Sequence, residues 1–223
     1  MANCIMIMGP SGSGKSSSMR NLDPKITFVL SVLDKPLPFK AYKKSYQPIR
    51  SWDDTEGNYY ASDDWIRILK CIDMIQEKRT DIKVLVIDDV QYILASEFMA
   101  RSHEKTFEKF SEMASHYWQI IRRAQKCRDD LTVFFLSHNE VDNTGFSKVK
   151  TIGKLLDDKI TIDGMFTTLL QSSSSENGFK FLTQGGGLST AKSPPGMFDL
   201  HIDNDLKLIA DTITAYNNDE EQE

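Results

Sequence analysis

Cys4-Ile5-Met6-Ile7-Met8-Gly9-Pro10-Ser11-Gly12-Ser13-Gly14-Lys15-Ser16 is an apolar run that breaks into a glycine-rich turn ending in lysine and serine. The spacing from Gly9 to Ser16 fits G-x-x-x-x-G-K-[ST], and the residues before it read as a short buried strand. Strand, glycine turn and helix in that order make a phosphate cradle. The glycines let the backbone curl with its N–H groups inward, and the positive end of the following helix adds to the attraction for an anion. Lys15 then reaches the outer phosphates and the Ser16 hydroxyl faces Mg2+. Gly9, Pro10, Ser11, Gly12, Ser13, Gly14, Lys15, Ser16 and Ser17 are the candidate nucleotide contacts, with ATP and Mg2+ the expected ligands. By itself this motif is common to ATPases, kinases and nucleotide-driven switches.

A second element follows at Val84-Leu85-Val86-Ile87-Asp88-Asp89, a continuous apolar strand ending in two carboxylates. A carboxylate at the end of a strand beside the phosphate loop holds Mg2+, usually through water, and an adjacent acid polarises the attacking water. Asp88 is the candidate metal ligand and Asp89 the candidate base; one sequence does not assign the two roles further. Leu131 to His138 is another buried strand, so Ser137 and His138 lie where a polar side chain senses the γ-phosphate or merely ends a strand.

Between these elements the chain alternates strand and helix. Helix is expected from Lys15 to Arg20 or Asn21, strand over 26–33, helix from Trp65 behind a Ser62-Asp63-Asp64 cap, and helix from Tyr92 to Arg128 with a break near Ser102-His103. That alternation predicts an α/β fold with a mostly parallel sheet and its ligand at the carboxyl ends of the strands. After Asn139 the character changes to a polar loop as far as Lys150. Strand is expected at Thr161-Ile162 and from Met165 to Leu170, a hairpin turn at Glu176-Asn177-Gly178, and a last amphipathic helix from Leu206 to Tyr216. The domain expectation is one unit over 1–216, with a mobile basic and aromatic loop over 35–62 and a disordered acidic tail over 217–223.

The 223 residues suffice for one α/β domain, and 40% hydrophobic with 26% charged residues is the balance of a globular protein. No apolar run approaches the ~20 residues that cross a bilayer. The first strand begins almost at once, so no secretory segment is expected. Cys4, Cys71 and Cys127 read as reduced thiols of a cytoplasmic protein, and the four histidines show no ligand spacing with them. The net charge of −5 argues against a uniformly basic coat for nucleic acid. The charge is uneven, however: Lys35, Lys40, Lys43, Lys44 and Arg50 form a basic stretch without an acid.

Five segments in order, Gly9 to Ser16, Lys35-Pro36-Leu37-Pro38-Phe39-Lys40, Val86 to Asp89, Phe134 to His138 and Thr151-Ile152-Gly153-Lys154-Leu155-Leu156-Asp157, resemble the bacteriophage RecA-like ATPases of the AAA_24 group, which include Sak-type single-strand annealing proteins. The resemblance covers Cys4 to Tyr216. It implies a RecA-like P-loop core with a C-terminal hairpin and helix extension, ATP hydrolysis, and work in phage DNA recombination or replication, often beside a single-stranded-DNA-binding protein. It further implies a homo-oligomeric ring or filament with a cation supplied in trans, for which Lys150 and Lys154 are the candidates. One departure stands out: RecA-type recombinases carry a glutamate base after the second core strand, where this chain has Asp34-Lys35-Pro36.

Lys35, Lys40, Tyr42, Lys43 and Lys44 combine cations with rings suited to phosphates and stacked bases, and Arg101 with Lys105 forms a second candidate contact to single-stranded DNA. Arg101 and its neighbours also read as an ion-paired helix face, because Glu97, Glu104, Glu108 and Glu112 are interspersed. Two rival functions stay open: a P-loop kinase acting on a nucleotide or another small acceptor, and a slowly turning nucleotide switch that loads a replication protein.

Overall fold

In the computed structural model, residues 1–152, 160–176 and 178–220 are described. Strands β1 (Asn3–Gly9), β2 (Thr27–Ser31), β3 (Tyr59–Ala61), β4 (Val84–Asp88), β5 (Thr132–Val141), β6 (Ser147–Val149), β7 (Thr168–Ser175), β8 (Gly178–Leu182) and β9 (His201–Asp203) belong to one sheet system. The helices are α1 (Tyr42–Ser45), α2 (Trp65–Lys78), α3 (Tyr92–Ala100), α4 (Glu108–Gln125) and α5 (Leu206–Glu220). The strand order is β3-β2-β4-β5-β1-β7-β8-β9, with β6 paired to β5. From β3 to β7 every pairing is parallel; β7–β8, β8–β9 and β5–β6 are antiparallel. The fold is the α/β P-loop architecture expected from the sequence.

Strand periodicity sorts the core into two layers. Met6, Met8, Leu85, Ile87, Val133 and Phe135 face α2, α3 and α4. Ile5, Ile7, Val84, Val86, Phe134 and Leu136 face Met19, Leu22 and α5. Strands buried on both faces carry apolar residues at successive positions, which is why these segments read as unbroken runs. The same parity sets the site: Asp88 follows Val84 and Val86 onto the face covered by the segment after the phosphate loop.

Asp64 caps α2 by accepting a hydrogen bond from Arg67 N at 3.0 Å. Asp64→Ala should cost about 1 kcal/mol. A urea midpoint identical to the wild type would mean that packing of Ile68, Cys71 and Ile72 alone holds the helix.

Several expectations are corrected. The turn after Lys15 is a 3-10 helix over Ser16–Asn21, with Leu22 already extended before Pro24. Strand was expected at 161–162 and from Met165; instead Ile162–Met165 is a 3-10 turn, and β7 begins at Thr168 and runs on through four serines. Those serines carry no apolar signal, because backbone pairing with β8 holds them. Similarly β5 continues past Asn139, after which a polar loop was expected, as far as Val141 by pairing with β6. Helix α5 passes Tyr216 and reaches Glu220, so the first residues of the supposed tail are helical. The segment 35–62 contains α1 and β3. Buried Asn58 ties it down, donating to Pro24 O at 2.8 Å and Ser45 O at 3.0 Å and accepting from Gln47 N at 2.8 Å.

Among the described residues, no helix is long and apolar enough to cross a membrane.

Candidate functional site

Register brings the carboxyl ends of four strands to one rim. Gly9 lies opposite His138, Ile87 opposite Phe135, and Ser31 opposite Asp88. The phosphate loop, both aspartates, His138 and the start of the 35–62 segment therefore leave the sheet together. They surround a cleft of about 300 Å3 lined by Ser11, Gly12, Gly14, Lys15, Ser16, Ser17, Lys35, Pro38, Asp89, His138 and Phe179.

The loop owes its shape to its glycines. Gly12 and Gly14 have φ of 78° and 91°, a region that costs residues with a Cβ strain. A Cβ on Gly14 would also lie 2.6 Å from the Phe179 ring. Gly9 admits Ser172 to the loop, and Ser172 Oγ donates to Ser13 O at 2.5 Å, buttressing the cradle from β7. Lys15 donates from Nζ to Gly9 O and Pro10 O, each at 2.8 Å. Burial lowers its ammonium to about 8, against the opposing pull of Asp89 and Asp88.

Ser16 Oγ donates to Asp88 Oδ1 at 3.0 Å, joining the two candidate metal ligands across 72 positions of sequence. Asp88 is buried, and burial first, then the neighbouring Asp89, pushes it up to about 6. A hydroxyl and a carboxylate side by side are hard oxygen donors and fit Mg2+, which takes its other ligands from phosphate and water. No cluster of three or more His, Cys, Asp or Glu side chains capable of holding a metal occurs among the described residues.

Asp89 stands at the turn, with φ of 61°, a left-handed conformation uncommon outside glycine. That turn breaks the strand alternation, and the buried Asp89 carboxylate joins the cleft wall. It pairs with Lys35 Nζ, and His138 Nε2 lies 3.8 Å from its other oxygen. Burial first, then the nearby Lys15 charge, lowers His138, against the opposing pull of Asp89. Gln91 Oε1 accepts from His138 N at 3.1 Å and fixes the strand end. Ser137 is fully buried beneath the rim and does not line the cleft.

A family model, AAA_24, described as an AAA domain, matches residues 1–194. The chain belongs to the AAA_24 family. No curated protein matches it. Membership supports a nucleotide-binding ATPase, and the Lys15, Ser16 and Asp88 constellation of this AAA domain is chemically suited to that role.

The remaining candidates separate. Lys35, grouped by sequence with the nucleic-acid contacts, lines the cleft of the phosphate loop together with Lys15 and Ser16. Tyr42 and Lys43 line an adjoining cleft of about 500 Å3 with Tyr46, Tyr59, Gln47 and Lys35, while Lys40 and Lys44 are exposed on the same segment. Arg101 donates to Glu97, Glu104 and Glu112 at 3.1, 2.8 and 2.5 Å, so its guanidinium is spent on an ion-pair network rather than free for DNA. Lys105 is exposed beside it. Lys150 is exposed next to its own chain's His138, to whose carbonyl its N–H donates at 2.9 Å, and it does not line the cleft. Lys154 lies outside the described residues.

Sequence reading missed Phe179, Ser172 and Gln91. The serine run and a lone phenylalanine after a turn carry no motif. Only Gln91, two residues after Asp89, had a positional signal.

Proposed function

We propose that this AAA domain hydrolyses ATP with Mg2+ and couples that hydrolysis to single-stranded DNA. The observation that carries the chemistry is the Ser16–Asp88 hydrogen bond with Asp89 beside it in one cleft. Lys15 and the loop N–H groups hold the outer phosphates, and Ser16 with Asp88 holds the metal, which supplies charge neutralisation to the phosphates when bound. Asp89 accepts a proton from the attacking water. The DNA reading is supported by the adjoining cleft, where Tyr42 and Tyr59 offer rings and Lys43 a cation for a base and its phosphate. By resemblance the protein acts in phage recombination or replication as a ring or filament, in company with a single-stranded-DNA-binding protein and with Lys150 or Lys154 contributed in trans.

Phosphate release measured with and without single-stranded DNA tests this. Stimulation by DNA supports the reading; tight ATP binding without turnover would favour a nucleotide-switched loader instead. A second reading, transfer of the γ-phosphate to a nucleotide, draws on the same adjoining cleft, whose volume admits an acceptor base. ADP release that depends on added acceptor and ignores DNA would favour it.

Phe179, 42% exposed on the cleft wall, offers a ring face for the base of ATP. Phe179→Ala is expected to weaken ADP binding roughly tenfold, from the ~1–3 kcal/mol of a base stacked on an aromatic ring. Titration calorimetry giving wild-type affinity would remove Phe179 from the nucleotide site.

A further inference from the structure

Lys35 enters the cleft from a stiff root. Asp34 before it has φ of 52°, its carboxylate accepts from Tyr59 Oη at 2.9 Å, and Pro36 follows. The ammonium pairs with Asp89 and sits 5.8 Å from the Tyr92 ring centre. The two partners of that ion pair differ in freedom. The Asp89 side chain is 5% exposed and held by its turn, whereas the Lys35 side chain is 54% exposed on a flexible stem. Lys35 is thus the member able to change partner.

We infer that Lys35 is a catalytic cation acting in cis: it exchanges Asp89 for the γ-phosphate when ATP enters the cleft, and in leaving frees Asp89 to serve as base. This rests on the hydrolysis reading above. A γ-phosphate carries more negative charge than one carboxylate and arrives in the cleft that Lys35 already lines, next to Lys15 and Ser16. Lys35 bound to Asp89 blocks the carboxylate as a proton acceptor; Lys35 on a γ-phosphate oxygen stabilises the charge that develops there. Water oxygen then bonds to the γ-phosphorus as the bond to the β–γ bridging oxygen breaks. That electron pair stays on ADP, and the water proton passes to Asp89 and on to solvent, leaving inorganic phosphate.

The full chain carrying Lys35→Ala and Lys35→Arg tests the assignment, with kcat and KM for Mg-ATP and Kd for ADP measured on each. Lys35→Ala should lower kcat about 100-fold or more, leave the ADP Kd within about threefold because ADP lacks the γ-phosphate, and be partly rescued by Lys35→Arg. A kcat equal to or above wild type would overturn the inference and identify Lys35 as a cap on Asp89 only. Loss of ADP binding in both variants would overturn it in favour of a structural role. Mixing Lys35→Ala with Lys15→Ala chains should recover nothing; recovery would mean that Lys35 acts across an interface. A wild-type chain without phosphate release, seen before any variant is made, would fail the hydrolysis reading itself. Hydrolysis with an unaffected Lys35→Ala variant would fail this inference alone.

Discussion

Lys15→Ala lowers ATP turnover by about three orders of magnitude and leaves the fold intact: that is the expected result of removing the cation that the cleft directs at the outer phosphates. The lysine is buried between Asp88 and Asp89 on one side and the carbonyls of Gly9 and Pro10 on the other. Its positive charge has no substitute at that depth, since Lys35 is exposed at the rim and Lys150 does not line the cleft. The side chain contributes little apolar packing, so the urea midpoint should move little while phosphate release falls close to background. Full activity in Lys15→Ala would sink the assignment of the cleft.

Asp88→Asn should act in opposite directions on activity and stability. Turnover is expected to drop at least about 100-fold, because an amide is a poor ligand for Mg2+ beside Ser16. Stability should rise. Burial and Asp89 push the Asp88 carboxyl up to about 6, above the value near 4 that an unfolded aspartate keeps. A carboxyl raised by folding contributes stability below about pH 4 and loses that contribution as pH climbs through about 6. At pH 7.5 the folded chain therefore bears a cost of about 3 kcal/mol, two units at ~1.4 kcal/mol each, which the neutral amide avoids. Urea unfolding without magnesium should show Asp88→Asn more stable than wild type at pH 7.5 by about 2–3 kcal/mol and no gain at pH 4. Equal stability at both pH values would mean that folding does not raise the Asp88 carboxyl, since the value of about 6 already includes the pull of Ser16, Lys35 and Lys15. The opposition of the two effects is what a buried ligand held for function implies.

The cradle and the Asp-bearing strand were readable because both are local. Gly12 and Gly14 announce φ values that other residues avoid, and the Val84, Val86, Asp88 alternation follows from the two-residue period of a strand. The turn at Asp89 was less readable: nothing in Asp88-Asp89 signals a left-handed residue, yet that conformation carries the second carboxylate into the cleft. The expected strand stopped at Leu170, short of the β7 serines, for a similar reason, since their pairing is made by backbone groups that every sequence shares.

Lys35 is the sharpest case. In the linear chain its neighbours are Lys40, Tyr42, Lys43 and Lys44, and composition groups it with nucleic-acid contacts. In space β2 lies parallel to β4 with Ser31 level with Asp88, so the residues that leave β2 emerge beside Asp89. Phe179 reaches Gly14 by a comparable route, through β7 beside β1 and the hairpin that returns along it. Arg101 was the reverse, since the interspersed glutamates already suggested the ion-pair network that engages it.

From sequence alone came the phosphate loop, the acidic strand end and the parallel α/β frame, because each follows from conformational preferences within a few consecutive residues. Tertiary structure alone decided which cation meets Asp89, which ring lies against Gly14 and which serine buttresses the loop. Those contacts join distant segments, and strand order and register, set by burial of both faces of the sheet, determine which distant residues share a rim.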